Sequence, residues 1–186
     1  MDLNKTGVKN IEFFAKGKRA YIYTGKYKNQ KVAIKTKNPK SLAKNRIQNE
    51  IKFLKILNKH KIGPKLLKHN KDYFIYKFIK GKQFIDSKKT KILIKNILKQ
   101  CRTLDKLKIN KLEFTRPIKH IFVKNNKVTI IDFERCYKTD NPKNVTQFCQ
   151  FLISNNLMKK DIKTIKTYKE KQTDKNFKEI IKIIKG

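Results

Sequence analysis

Two short segments, Val32-Ala33-Ile34-Lys35 and Ile130-Ile131-Asp132-Phe133, decide what fold this chain is expected to adopt. Each is an apolar run, largely β-branched, that leads into one charged residue, a lysine in the first and an aspartate in the second. Such a run predicts a buried strand, so both charges are expected to lie near the protein interior. A buried lysine or carboxylate is costly unless it has a partner, and both residues are therefore candidates for a functional site.

The composition limits the class of protein. The chain has 186 residues, of which 38% are hydrophobic, enough for one domain or for one domain with two lobes. Cys101, Cys136 and Cys149 lie far apart without metal-ligand spacing, which favours a reducing, cytoplasmic location over a disulfide framework or a zinc site. No apolar run approaches the roughly 20 residues that span a bilayer, and the first residues lack the apolar stretch of a signal peptide. We therefore expect no membrane association.

The charge of the chain is strongly positive, because there are 49 Lys and Arg residues but only 14 Asp and Glu residues, for a net charge of +35. One interpretation is a compositional bias toward lysine, as on the surfaces of thermophile proteins. The other is a polyanionic partner such as RNA or a ribonucleoprotein. Lysine bias does not explain the scarcity of acidic residues, and both interpretations stay open. No RNA- or DNA-binding motif is present, so contacts are expected to go to backbone phosphates.

Hydrophobic patterning predicts a first half that is rich in strands. Residues 11–36 read as strands, with a polar connection over residues 25–30 that predicts a hairpin. Apolar residues at helical spacing predict a helix from residue 42 to about residue 57, with Ser41 as its cap. Two more strands are expected within residues 66–76.

The second half is predicted to be mostly helical. Residues 88–107 have helical spacing of apolar residues, and two helices near 143–156 and 159–185 close the chain. Between them, the apolar runs on either side of Asn125-Asn126 predict one hairpin. A strand-rich half followed by a helix-rich half indicates an α+β fold.

Several motifs fall in a specific order around the two opening segments. Residues 14–23 look like a degraded glycine-rich loop in which only the middle glycine, Gly17, is kept. Glu50 lies on the helix after Lys35, residues 74–81 look like a hinge, and Asp132-Phe133-Glu134 matches a D-F-G string with Glu in place of Gly. In this order the motifs resemble those of the protein-kinase superfamily.

Two further strings are similar to those of the minimal archaeal kinases, namely the predicted archaeal serine/threonine kinases, the RIO group and the small kinase of the KEOPS complex. They are the E-x-x-R-P-x-K-H loop of residues 113–120 and the D-F-E-R string of residues 132–135. The stretch 142–148 also looks like this group, and the resemblance covers roughly residues 10–155.

The resemblance implies a two-lobed fold with a small β-rich N-lobe over residues 1–79 and a short helical C-lobe over residues 80–186, with ATP and Mg²⁺ in the cleft. Lys35 and Glu50 would hold the phosphates, and the backbone of Lys77 and Ile79 would read the adenine edge. The full set of nucleotide-binding residues implied is Gly17, Ile22, Ala33, Lys35, Glu50, Tyr76, Lys77 and Ile79.

The catalytic set implied by the resemblance is Glu113, Lys35, Asp132 and Arg116. Asp132 would bind magnesium, Glu113 would be the base and Arg116 or Lys119 would stabilise the γ-phosphate. Thr115 and His120 stand where many protein kinases have the base Asp and a metal-binding Asn, so His120 is the candidate for a second metal ligand, although imidazole is a poor one for magnesium.

Three functions follow from this set. The first is an ATP- and Mg²⁺-dependent serine/threonine protein kinase or ATPase that acts on a ribonucleoprotein or an RNA-associated protein. The second is a catalytically weak pseudokinase that serves as a basic nucleic-acid-binding or scaffold subunit, which the residues at positions 115 and 120 favour. The third is a small-molecule kinase, which is disfavoured because the region after Asp132 is short.

Overall fold

The computed structural model describes residues 3–185, which form a mixed α+β fold. The chain divides into two compact units. The first contains the chain up to Ile79 together with Ile131–Arg135, and the second contains Lys80–Ile130 and the chain from Cys136 onward. The short segment 131–135, which includes Asp132, thus packs with the strand-rich unit despite its position late in the sequence.

The first unit contains one sheet, and the second contains a two-stranded and a three-stranded sheet. The first contains β1 (Lys9–Lys16), β2 (Ala20–Tyr27), β3 (Gln30–Lys37), α1 (Arg46–Lys59), β4 (Leu66–His69) and β5 (Tyr73–Lys77). The second contains β6 (Lys82–Gln83), α2 (Lys91–Lys106), β7 (Ile109–Asn110), β8 (Ile121–Lys124), β9 (Lys127–Ile130), β10 (Tyr137–Lys138), α3 (Asn144–Ser154), α4 (Ile162–Glu170) and α5 (Asp174–Lys182). None of the helices within residues 3–185 has the length and apolar character needed to cross a bilayer.

The first unit is built on a five-stranded antiparallel sheet in the order β1-β2-β3-β5-β4. Because side chains alternate across a strand, β3 directs two sets of residues to opposite faces. Val32 and Ile34 pack with Tyr73 and Ile75 in a small core on one face. Lys35 belongs to the other face, so the register of β3 decides where the ammonium is presented.

The hairpin between β2 and β3 is tighter than predicted. The strands continue to Tyr27 and resume at Gln30, and the turn is only Lys28-Asn29, both with positive φ of 47° and 58°. Two residues with positive φ match the twist of the flanking strands. Gly25, predicted to lie in the connection, is instead paired in β2, where an added Cβ would approach Val8 Cγ1 to 2.5 Å.

The helix of the first unit starts later than predicted, at Arg46, and Ser41 is not its cap. The Ser41 hydroxyl accepts a hydrogen bond from the Ala43 N–H at 3.3 Å, in a local turn. Asn45 precedes the helix with a φ of 57°, a left-handed conformation that asparagine tolerates better than most residues. The local turn therefore delays the helix by about one turn.

The second unit contains the predicted hairpin, with β8 and β9 joined by Asn125-Asn126, and three buried, free cysteines. The predicted last helix is wrong in one respect, because it is two helices, α4 and α5. The break falls at residues 171–173, where the Thr173 hydroxyl accepts a hydrogen bond from Asn176 N–H at 3.1 Å and caps α5. A threonine side chain that bonds a nearby backbone N–H favours a helix start over a helix interior.

Replacing Thr90 with alanine should lower the free energy of unfolding by about 1 kcal/mol. The Thr90 hydroxyl accepts a hydrogen bond from the Leu93 N–H at 3.2 Å and caps α2. Urea denaturation measures the loss. Thr90→Ser keeps the hydroxyl and is the matched control; an equal loss in both variants would contradict the cap.

Candidate active site

Three of the predicted site residues meet in the first unit. Lys35 Nζ donates to Glu50 Oε2 at 2.6 Å and to Asp132 Oδ1 at 3.2 Å. The three residues come from β3, α1 and the segment after β9, and 97 positions separate Lys35 from Asp132. The side chain of Glu50 is 3% exposed and that of Asp132 is 28% exposed, so Asp132 is the carboxylate that solvent or a ligand can reach.

Glu50 also fixes the segment that carries Asp132. Its second oxygen, Oε1, accepts a hydrogen bond from the Phe133 N–H at 3.2 Å. The Phe133 ring is fully buried beside Gly63, whose added Cβ would lie 2.9 Å from both the Phe133 ring and Leu54. Gly63 also has a φ of 79°, so glycine is required there for conformation as well as for space.

The backbone of Asp132 is in the left-handed region, with a φ of 66°. For a residue other than glycine this conformation costs about 1 kcal/mol and persists only where the surroundings enforce it. Here the Lys35 contact and the buried Phe133 enforce it. Backbone strain that is held in this way occurs preferentially at ligand-binding positions.

Glu134 is a functional candidate that sequence reasoning treated only as a substitute for glycine. Its carboxylate accepts from Arg19 Nη1 at 2.9 Å, and its carbonyl oxygen accepts from Asn49 Nδ2 at 2.9 Å and from Arg46 Nη1 at 3.4 Å. Arg19, which lies in the segment that resembles a glycine-rich loop, is thus engaged with a carboxylate. In the sequence, the only indication of a role for Arg19 is its position beside Lys18 in a basic turn. Its partner, Glu134, lies 115 residues away.

Carboxylate oxygens of Glu50, Asp132 and Glu134 all lie within 4.8 Å of one another. Burial by itself would lower the pKa of Lys35, but the charges of Glu50 and then Asp132 outweigh it and raise that pKa above its usual value. Burial raises the pKa of Glu50, and the Lys35 ammonium opposes this change. Lys35 is therefore firmly protonated, and the site is an ion-pair network with oxygen atoms concentrated at one point.

The predicted adenine-pocket residues lie on the same face of the sheet as Lys35. Ile22 is directly opposite Lys35 in the β2–β3 register, and Ala33 is opposite Tyr76 in the β3–β5 register. Burial, chiefly, raises the pKa of Tyr76 to about 12, so its phenol stays neutral. Lys77 ends β5, and Ile79 follows the strand in a segment without regular secondary structure.

Gly17 lies in the turn between β1 and β2, and a buried asparagine holds this turn. Asn38 Nδ2 donates to the carbonyl oxygens of Gly17 at 3.0 Å and of Lys18 at 3.3 Å. The Asn38 N–H donates to the Arg19 carbonyl at 2.9 Å. Sequence reasoning missed Asn38, because an asparagine before a proline indicates only a strand end.

The remaining predicted residues belong to the second unit. Glu113 lies in a 3₁₀ turn (Leu112–Thr115), Arg116 is exposed after it, and His120 follows a second 3₁₀ turn (Pro117–Lys119). Glu113 Oε2 accepts from Lys111 Nζ at 2.9 Å, and the Lys111 side chain is fully buried. Lys111 was not predicted, because nothing in a lysine-rich sequence distinguishes a buried lysine from an exposed one.

A buried polar network places this loop. Asn144 Oδ1 accepts from the Lys111 N–H at 2.9 Å, and its Nδ2 donates to the Ile109 carbonyl and to Asp105 Oδ1, both at 2.7 Å. The other Asp105 oxygen accepts from the Tyr168 hydroxyl at 2.9 Å. Helices α2, α3 and α4 thus share one hydrogen-bonded centre that fixes the start of the Glu113 loop.

Comparison of the chain with protein-family models and with curated protein sequences gives no match. The Lys35 face presents a protonated lysine, an accessible carboxylate and an apolar strand surface side by side. A lysine can bind phosphate oxygens, and a carboxylate can bind a hard cation.

Replacing Lys35 with methionine should lower the free energy of unfolding by about 3 kcal/mol, because it leaves the Glu50 carboxylate buried without its cation. The double variant Lys35→Met/Glu50→Gln should recover part of this loss, since glutamine removes the charge but keeps an oxygen for the Phe133 N–H. Urea denaturation at pH 7 measures both. A double variant less stable than Lys35→Met would contradict the argument.

The pH dependence of Lys35→Met provides a second check. The folded pKa of Glu50 is already raised by burial, and without the opposing ammonium burial and then the Asp132 charge raise it further above the unfolded value of 4.5. A carboxyl whose pKa is raised by folding destabilises the fold increasingly as the pH rises from the unfolded value through the folded one. Lys35→Met should therefore lose more stability at pH 8 than at pH 5, and Lys35→Met/Glu50→Gln should lack this component.

Proposed function

We propose that this chain is an ATP- and Mg²⁺-dependent phosphotransferase with a protein-kinase-like, two-lobed fold, of the minimal archaeal serine/threonine kinase type. The observation that carries the proposal is the joint placement of Lys35, Glu50 and Asp132, with Lys35 Nζ 2.6 Å from Glu50 and 3.2 Å from Asp132. The residue types, their order along the chain and their contacts all suit phosphate and metal binding.

Lys35 is equipped to hold a phosphate. An ammonium has three N–H donors, and two of these go to Glu50 and Asp132, which leaves one for a phosphate oxygen. Glu50 orients the ammonium, and the Phe133 N–H in turn orients Glu50. Ile22, Ala33 and Tyr76 supply an apolar surface on the same face for the adenine, and the backbone of Lys77 and Ile79 supplies polar groups for its edge.

The carboxylates fit magnesium. Mg²⁺ prefers oxygen ligands and is commonly held by one or two carboxylates plus substrate phosphates. Asp132 is the most accessible member of the cluster and would be the ligand, while Glu50 and Glu134 are engaged with Lys35 and Arg19. Bound magnesium would supply neutralisation of the phosphate charge. His120 remains a predicted second ligand.

In the proposed reaction, Glu113 accepts the proton of the attacking hydroxyl and Arg116 or Lys119 binds the transferring phosphoryl group. Glu113 Oε2 accepts a hydrogen bond from the buried Lys111 Nζ at 2.9 Å, so the carboxylate that would take the proton is held in position. The acceptor we propose is a serine or threonine of an RNA-associated protein, or water. The net charge of +35 suits a ribonucleoprotein substrate.

The second candidate function is that of a pseudokinase that binds nucleotide and serves as a basic scaffold or nucleic-acid-binding subunit. The specific observation in its favour is the Lys111–Glu113 pair. A fully buried lysine needs a carboxylate for stability alone, so Glu113 has a structural reason to be present. In this case the Lys35 face would bind ATP without turning it over.

Magnesium-dependent ATP turnover should fall at least about a hundredfold in Lys35→Ala and in Asp132→Asn, because the first removes the cation proposed to bind the phosphates and the second removes the charge proposed to hold magnesium. Turnover is measured as phosphate release and as transfer of labelled phosphate to the protein itself. Lys26→Ala, which removes an exposed lysine from β2, is the control and should match the wild type. Equal background in all four proteins would refute the enzyme and leave the pseudokinase.

The role of Glu113 can be separated from its structural role by comparing Glu113→Gln with Lys111→Met. Both variants break the same ion pair and should lower the melting temperature, but only the first removes the proton acceptor. Loss of a base slows turnover about a hundredfold or more, so Glu113→Gln should be much slower than Lys111→Met. The same stabilisation by Mg-ATP in both variants would show that nucleotide binding is intact. Equal turnover would assign Glu113 to structure alone.

A further inference from the structure

A cavity lies within the first unit, apart from the cluster of Lys35, Glu50 and Asp132. Its volume is about 620 Å³, within the range of ordinary ligand pockets. The sheet contributes Tyr21, Tyr23 and Thr36, while the chain before α1 and the first residues of α1 contribute the opposite wall. Neither Lys35, Glu50 nor Asp132 lines it.

The register of the strands puts this cavity on the opposite face from Lys35. Tyr23 pairs with Ile34 and Tyr21 with Thr36, whereas Ile22 pairs with Lys35. Because alternate residues of a strand point to opposite faces, the two tyrosines and the Lys35 ammonium cannot share a face. A ligand in this cavity is therefore distinct from the nucleotide of the proposed function, and the inference does not rest on that function.

The cavity wall is mainly basic. The wall carries four basic residues (Lys37, Lys44, Arg46 and Lys71) and, within residues 3–185, one carboxylate, that of Asp72. Lys37, Lys44 and Lys71 are exposed and form no ion pair with any residue in the described range. Unpaired ammonium groups around a concave surface attract a polyanion.

Tyr21 and Tyr23 line the cavity and lie beside a third aromatic ring that does not line it. The exposed ring of Phe13, on β1, meets the Tyr21 ring at 6.0 Å and the Tyr23 ring at 5.7 Å between centroids, both edge to face. Phe13 is 60% exposed, which is unusual for so large an apolar side chain. Exposed rings beside unpaired cations are the combination on which unpaired bases stack while their phosphates are neutralised.

We propose that the sheet face formed by Phe13, Tyr21 and Tyr23, with the flanking cations of the cavity, is a binding site for single-stranded nucleic acid. Bases stack on the Phe13 and tyrosine rings, and Lys37, Lys44, Arg46 and Lys71 contact the backbone phosphates. A phosphorylated peptide satisfies the cations but has no planar bases for the rings, and a duplex keeps its bases stacked inside. The rings therefore favour a single strand over either.

The test uses fluorescein-labelled 12-nucleotide oligouridylate and oligothymidylate, titrated with the full-length protein at several salt concentrations. Phe13→Ala should weaken binding about fivefold to a hundredfold, the usual effect of losing one stacked base. Phe14→Ala is the matched control, because Phe14 is the neighbouring residue, is 58% exposed and packs on Phe78 instead. Circular dichroism confirms that both variants are folded.

The charges are tested with the triple variant Lys37→Gln/Lys44→Gln/Lys71→Gln. The slope of log affinity against log salt is negative, and each lost phosphate contact in a single-strand complex makes it less steep by about 0.7. The slope of the triple variant should therefore be less steep by roughly 2. Lys163→Gln/Lys175→Gln/Lys178→Gln removes three exposed lysines from α4 and α5 and should leave the slope nearly unchanged.

Several results would overturn the proposal. One is the absence of binding by the wild type at 50 mM salt, and another is equal affinity for a 12-base-pair duplex. The others are equal effects of the two triple variants and equal effects of Phe13→Ala and Phe14→Ala. Tighter binding of a singly phosphorylated peptide than of the oligonucleotides would assign the cavity to a phosphoprotein instead. The variants Lys35→Ala and Asp132→Asn should bind the oligonucleotides like the wild type, whether or not they hydrolyse ATP.

Discussion

The first unit depends on one buried carboxylate, that of Glu50. Taking a carboxylate out of water costs several kcal/mol unless a cation and hydrogen-bond donors replace the lost solvation. Glu50 obtains the cation from Lys35 on β3 and the donor from the Phe133 N–H. A single side chain therefore joins the sheet, the helix and the segment 131–135, and the left-handed conformation of Asp132 becomes tolerable because Lys35 holds its side chain and Glu50 holds the next N–H.

This arrangement costs stability that a merely structural unit could avoid. An apolar trio of similar volume would pack without desolvating any charge, and such replacements are often neutral or stabilising. Asp132 adds backbone strain, and Glu134 adds a third carboxylate within 4.8 Å of the other two. Like charges at that distance repel. The chain has only 14 acidic residues, so three of them at one point is a much higher local density of carboxylates than the chain has on average. A ligand that uses these charges gives a physical reason for them, and this reason supports phosphate and metal binding.

The sequence was sufficient for the features that local physics controls. The β-branched run before Lys35, the Asn125-Asn126 turn and the apolar period of α2 are each set by residues close in sequence, and the structure has the strands and helices predicted there. The helix start at Arg46 and the break before α5 were not predicted, because they depend on which partner a Ser or Thr hydroxyl selects. Ion pairs were the hardest part. Glu134 and Glu113 each select one cation among many lysines and arginines, and only the folded chain reveals which.

Arg46 is the residue common to the two faces of the sheet, and it limits how strongly they can influence each other. Its side chain lines the cavity beside Tyr21 and Tyr23 and also donates to the Glu134 carbonyl at 3.4 Å. Coupling between two ligands requires that each changes the free energy of the same element. A phosphate that draws the Arg46 guanidinium into the cavity removes one donor from that carbonyl, but Asn49 Nδ2 keeps it bonded at 2.9 Å. No buried acceptor is left unsatisfied by the movement, so the energetic consequence for the Glu50 cluster is small. We therefore expect a ligand on one face to change the affinity of the other face for its ligand only slightly, although the faces share the strands β2 and β3.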